Sequence, residues 1–194
     1  KCVWALNDGH EVPYGAEVVK RFSFKYAYYL AVSKYFVFNV RQPLWYRKRE
    51  GQVFVETWHG TPLKRLVFDQ EEVTSASPKY KQQFYRQRQE WDYLVSANPF
   101  STKTFRSCFM YEGKMLEYGY PRNDILYWPN KDEIAKDLRK KLGIPEDKKT
   151  ILYAPTWRDD EHYGKGEYKF TLALDLKLMM EKLSDEYVVL LRTH

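Results

Sequence analysis

The sequence runs to 194 residues with 44% hydrophobic and 18% aromatic content, enough for one large or two small domains and far from a disordered composition. Its net charge of +6 favours an anionic partner (nucleic acid, a phosphorylated substrate or an acidic membrane face) without choosing among them. Cys2 and Cys108 form no CxxC and have no His neighbour, so both read as free thiols in a reducing compartment. No stretch approaches the ~20 apolar residues that span a bilayer, and the first residues show no signal-peptide pattern; any membrane contact is expected at the surface.

In chain order, runs rich in Val, Ile, Phe and Tyr predict strands over Cys2–Leu6, Tyr35–Phe38, Val53–Thr57, Tyr93–Val95, Lys114–Tyr118, Thr150–Tyr153 and Tyr187–Leu191. Between them, amphipathic stretches predict helices over Gly15–Ser33, Pro62–Leu66, Lys79–Asp92, Pro99–Phe109, Asp132–Leu142 and Thr171–Leu183. Gly143 and Pro145 stop the fifth helix. Strands alternating with helices define an α/β fold with a mostly parallel sheet. The turn and charged helix of residues 119–149 read as a crossover from one α/β domain, residues 1–118, to a second that has only begun, residues 150–194. Both ends of the chain fall within strand patterns, and a piece of a longer protein is expected.

Four turns at strand ends carry the candidate chemistry. In Thr57-Trp58-His59-Gly60-Thr61-Pro62-Leu63-Lys64, Thr61 is a good N-cap and Pro62 a good first helical residue. His59 is therefore expected at a strand's carboxyl end just before a helix N-terminus, where α/β sheets bind ligands and phosphate finds N–H donors. Gly60 lets a ligand approach the backbone, and histidine suits proton transfer near neutral pH. A tight turn with a structural histidine is the alternative. In Tyr153-Ala154-Pro155-Thr156-Trp157-Arg158-Asp159, Arg158 is either a phosphate clamp or a surface arginine paired with Asp159 or Asp160; spacing alone favours the latter. Arg192 and His194 follow the apolar run Tyr187–Leu191, facing a pyrophosphate or fraying with the terminus. Tyr118-Gly119-Tyr120-Pro121-Arg122-Asn123-Asp124 is a tight turn, read first as a hinge. His10 and His162 sit alone in polar loops and read as surface residues.

Two basic-aromatic stretches, Lys20–Tyr29 and Lys79–Arg88, fit an anionic bilayer, single-stranded nucleic acid, or plain helices with one face in the core. The four His are far apart and no Cys or DxD pair supports them, so no metal site is expected. Neither a Walker loop nor GxGxxG is present.

Trp58-His59-Gly60-Thr61-Pro62-Leu63-Lys64 followed by Asp69 resembles the signature of the CDP-glycerol glycerophosphotransferase family, the teichoic acid primases and polymerases. Gly119–Asp124, Ile151–Asp159 and Leu191–His194 resemble that family's next landmarks, in the same order. The resemblance covers nearly the whole chain. It implies a GT-B architecture, two facing Rossmann-like domains, with an acceptor-side first domain and a nucleotide-binding second domain truncated at its start. It further implies transfer of glycerol phosphate from CDP-glycerol to a hydroxyl of a lipid-linked polymer, releasing CMP. Neither metal nor cofactor is implied, and the protein is expected at an anionic membrane surface on the cytoplasmic face, not on nucleic acid. By motif, His59 corresponds to the general base and His194 to a second histidine contacting the donor phosphates; Gly60, Thr61, Lys64, Arg158 and Arg192 fall in substrate-binding landmarks. The family's later segments, including an Asp-Tyr-Ser-Ser stretch that helps hold the donor, lie outside this sequence. A nucleotide-sugar glycosyltransferase of the same fold, a CDP-ribitol-dependent enzyme and a basic nucleic-acid-binding module are the competing readings.

Overall fold

The computed structural model describes residues 1–7, 11–71, 77–155, 162–164, 167–168, 172 and 174–192. The chain divides into two compact units, Lys1–Tyr120 and Pro121–His194.

The first unit contains β1 (Val3–Leu6), β2 (Glu17–Lys20), α1 (Phe24–Val32), β3 (Tyr35–Phe38), β4 (Val53–Glu56), α2 (Tyr80–Arg88), β5 (Tyr93–Ser96), α3 (Pro99–Cys108) and β6 (Lys114–Glu117). Strands β3-β4-β5-β6 form a four-stranded parallel sheet in chain order, and β1 and β2 form a separate parallel pair. All four carboxyl ends of the larger sheet therefore share one edge. Phe36 and Phe54 are register partners, and with Tyr46, Phe84, Phe105 and Phe109 they are buried in an aromatic core.

The helix expected over Gly15–Ser33 is two elements. Val18 and Val19 are β-branched and favour extended backbone; Val19 is buried and Glu17–Lys20 pairs with β1. The helix begins only after Ser23, whose Oγ accepts the Tyr26 N–H at 3.2 Å, as an N-cap does. At its other end, Gln52 Nε2 donates to the carbonyls of Leu30 (3.1 Å) and Ser33 (2.7 Å), groups a helix terminus leaves unpaired. The link from β3 to β4 thus carries no helix of its own; its buried Gln42, Tyr46 and Gln52 fill that space.

The helix expected over Pro62–Leu66 does not form. Leu63 N–H turns back to the Thr61 carbonyl at 2.9 Å, a reverse turn closed over one intervening residue, and only a short 3-10 turn follows at Val67–Asp69. Thr61 is accordingly no N-cap and Pro62 no first helical residue. The second basic stretch becomes α2, ending at Arg88 rather than Asp92. In α3, Asn98 Oδ1 accepts the Ser101 N–H at 2.9 Å, with Pro99 at the first position as expected.

The second unit contains a 3-10 stretch, Pro121–Tyr127, then α4 (Lys131–Lys141), β7 (Lys149–Tyr153), β8 (His162–Gly164), β9 (Glu167–Tyr168), α5 (Leu176–Leu183) and β10 (Tyr187–Leu191). Strands β7 and β10 are parallel, and β8 and β9 form a short antiparallel pair. Helix α4 ends at a left-handed glycine: Ile144 N–H reaches the Arg139 carbonyl (2.9 Å) and Gly143 N–H the Lys140 carbonyl (3.2 Å), with Gly143 at φ 66°. That pair of bonds is a Schellman stop. Helix α5 starts at Leu176, capped by Asp175, not at Thr171, which lies outside the described residues.

Candidate functional site

His59 stands three residues past the end of β4, exposed at the carboxyl edge of the four-stranded sheet. Its Nδ1 is 2.8 Å from the carbonyl oxygen of Asn39, the residue that follows β3. A carbonyl only accepts, so Nδ1 carries a hydrogen in this contact, which places the lone pair of the ring's neutral form on Nε2. The imidazole also stacks on the Trp58 indole, centroids 4.3 Å apart at 28°.

Trp58 is a backbone exception. Its φ of 53° lies in the left-handed region, which costs a non-glycine residue about 1–2 kcal/mol. Two features offset the cost. The indole packs edge-on against Phe109 at 4.7 Å and Phe84 at 6.1 Å, pairs worth about 0.5–1.5 kcal/mol each beyond their buried area. The Trp58 N–H donates to Glu56 Oε1 at 3.0 Å. Glu56 is wholly buried, and its Oε2 has no hydrogen-bond partner among the described residues. Burial pushes its carboxyl up to about 8, against smaller opposing pulls from the Trp58 N–H and the Arg41 charge, so near neutral pH the group is a protonated acid.

The other residues of the motif are placed less specifically. Thr61 and Lys64 are exposed. Gly60 has φ outside the left-handed region, and a Cβ there would meet nothing within 4 Å, so the fold itself makes no demand for glycine. With no helix after Thr61, the expected helix N-terminus beside His59 is absent, and a phosphate at this edge would need other donors. The turn read as a hinge is tied to the same place: Gly119 N–H bonds the Ser96 carbonyl (3.2 Å), and the buried Tyr120 donates its hydroxyl to the Gly60 carbonyl (2.9 Å). Asp69 is held by the Ser107 hydroxyl of α3.

In the second unit, Arg192 follows β10, and its N–H bonds the Tyr153 carbonyl at 2.9 Å. The strand ends that lead to Arg158 and to His194 are thus neighbours. Arg158, His194 and His10 themselves lie outside the described residues. Among the described residues no His, Cys, Asp and Glu side chains group to hold a metal ion, and no helix is long and apolar enough to cross a membrane. Of the two basic-aromatic stretches, the second turns Phe84 wholly into the core and leaves Tyr85 exposed, whereas the first buries Tyr26 and leaves Phe22, Phe24 and Tyr28 exposed.

Sequence reading missed Glu56 and Asn39, and it placed Tyr120 in a hinge without its tie to Gly60. A signal for Glu56 existed: alternation along β4 sets Phe54 and Glu56 on the same buried face.

The fold and the site define a mixed α/β protein with parallel sheets and a histidine at a sheet's carboxyl edge. The chain belongs to the CDP-Glycerol:Poly(glycerophosphate) glycerophosphotransferase family, whose model matches residues 1–194. It is 44% identical over 200 residues to the teichoic acid poly(glycerol phosphate) polymerase of Bacillus subtilis (strain 168), covering 100% of this chain and 27% of that protein. The solved wall teichoic acid polymerase TagF superposes with a TM-score of 0.87 at 45% identity, covering 99% of this chain and 48% of that one. A histidine-to-asparagine variant of TagF soaked with CDPG matches with a TM-score of 0.86 at 44% identity, over the same shares. The chain therefore spans about a quarter to a half of the length of these relatives.

Proposed function

We propose that the protein carrying this chain transfers glycerol phosphate from CDP-glycerol to a terminal hydroxyl of a lipid-linked teichoic-acid-type or capsular polymer, releasing CMP. The observation that carries the reading is His59 itself. It lies in the family's signature motif, at a sheet's carboxyl edge, with Nδ1–H bound to Asn39 and the lone pair on Nε2.

In this reading Nε2 takes the proton of the acceptor hydroxyl as the oxygen attacks the β-phosphate. The phosphorus–oxygen bond to the α-phosphate breaks, and CMP leaves with the electron pair. General-base help of this kind is worth roughly 10²–10⁴-fold. The remaining demand is fixed positive charge and N–H donors around the phosphoryl oxygens. We assign that to Arg192, Arg158 and His194 on the donor and to Gly60, Thr61 and Lys64 beside His59. No metal ion or other cofactor is part of the proposal. The finer fold reading, a GT-B pair of Rossmann-like domains, belongs to the same proposal. So does a peripheral site at the cytoplasmic face of the membrane, which the exposed Phe22, Phe24 and Tyr28 beside Lys20 and Lys25 support.

The test uses the full-length protein with labelled CDP-glycerol and a lipid-linked acceptor, comparing wild type with His59→Ala. Transfer and CMP release in wild type, lost in a folded His59→Ala, are expected. No transfer from CDP-glycerol, with transfer from CDP-ribitol or a nucleotide sugar, would replace the donor. Equal transfer by both proteins would remove His59 as the base.

A further inference from the structure

The residues between β4 and His59 form a small, strained turn. Glu56 ends the strand with its side chain wholly buried. Thr57 stays bonded to β3, its N–H on the Phe38 carbonyl at 2.7 Å. Trp58 then turns into the left-handed region, and His59 follows against the Asn39 carbonyl. The turn runs against the intrinsic preference of a large L-residue, so something must hold it. Two side chains bond its backbone: the Thr57 hydroxyl donates to the Trp58 carbonyl at 3.0 Å, and Glu56 Oε1 accepts the Trp58 N–H at 3.0 Å, the bond next to the φ rotation.

We infer that Glu56 is a positioning residue for His59: its buried side chain pins the left-handed Trp58, which sets the indole on which the imidazole stacks and brings Nδ1 within reach of Asn39. The role rests on the proposed function only in so far as His59 is the base; the placement of the ring is a separate, measurable property. A carboxylic acid suits the task because its carbonyl oxygen accepts the N–H while its hydroxyl keeps the group uncharged in the core. Glutamine shares the first property and an apolar side chain does not. The remaining aromatic contacts of Trp58, to Phe84, Trp91 and Phe109, anchor the indole from beyond but fix no backbone angle. Released from Glu56, the Trp58 backbone relaxes towards ordinary φ and carries His59 with it, and a displacement of about 1 Å at a reacting group costs on the order of 10²-fold in rate.

The test compares wild type, Glu56→Met and Glu56→Gln in the full-length protein. Methionine keeps the length and burial of the side chain and removes the acceptor; glutamine keeps the acceptor. Two readouts are taken: the ring-nitrogen resonances of 15N-labelled histidine, with His59 assigned by its loss in His59→Asn, and kcat and KM for CDP-glycerol. In wild type the His59 ring is expected as the Nδ1–H tautomer. In Glu56→Met it is expected to become a tautomer mixture, with kcat down about 100-fold and KM little changed. Glu56→Gln is expected to restore both. A His59 ring unchanged in a folded Glu56→Met would overturn the inference, whatever the transfer assay shows. Loss of the tautomer in Glu56→Gln as well would also overturn it, since the acceptor is still there. Should Glu56→Met not fold, Glu56→Leu, which also lacks the acceptor, takes its place: an unchanged His59 ring there sinks the positioning role, and a tautomer mixture that Glu56→Gln does not show supports it. Absence of transfer in wild type would strike the proposed function and leave the ring measurement standing.

Discussion

Replacing Glu56 by glutamine should make folding less sensitive to pH. The buried carboxyl titrates near 8 in the folded chain against an ordinary value of 4.5. Between those values the folded state holds a proton that the unfolded state has released, so stability falls as pH rises through the window and levels off above it. At about 1.4 kcal/mol per pH unit, the loss reaches about 3 kcal/mol by pH 7, a large share of the 5–15 kcal/mol that holds a typical domain together. Glutamine accepts the same Trp58 N–H without titrating. The assay is urea unfolding followed by tryptophan fluorescence at pH 5, 6, 7 and 8 for wild type and Glu56→Gln. The variant is expected to gain on wild type with each pH step, by about 3 kcal/mol between the ends of the series. Any constant offset reports the buried amide; the slope reports the titration. A difference that stays level from pH 5 to pH 8 would show that Glu56 is not a buried neutral acid.

Asn98→Ala removes the cap of α3 and is expected to cost about 1 kcal/mol, read as a lower Tm. Gly143→Ala forces a side chain into the left-handed position that ends α4 and is expected to cost about 1–2 kcal/mol, again by thermal unfolding. Of the two thiols, Cys2 is exposed whereas Cys108 is buried and pushed up to about 12 by burial. A thiol reagent at pH 8 is expected to modify only Cys2 in the native protein, and both in denaturant, as peptide mass mapping would show. His59→Asn is expected to leave circular dichroism unchanged while transfer falls by roughly 10²–10⁴-fold.

The strands of the larger sheet were legible because their apolar runs are short, β-branched or aromatic, and bounded by polar turns. The break between Val19 and Phe24 was not, because a helix-like pattern of basic and aromatic residues runs through it and only Ser23 marks the true start. The false helix at Pro62 came from reading Thr61 and Pro62 as start signals, which describe local preference; the turn that closes Leu63 onto Thr61 overrides them. His59 was found from its motif, and its strand-end position was expected. Its orientation was invisible, since Asn39 lies 20 residues away and joins it only through β3–β4 pairing. Glu56 falls in no motif, and only its alternation with the buried Phe54 shows that it lies on the core face.

The order β3-β4-β5-β6 in space repeats the order along the chain. Each strand after the first therefore pairs with one already synthesised, and no strand waits for a distant segment to be inserted between two neighbours. Such an arrangement lets the first unit assemble during translation, one strand at a time, as domains commonly do from the N-terminus. The edge left exposed at each stage is then covered by the next segment to leave the ribosome, which shortens the time for which an unpaired parallel edge is open to the wrong partner.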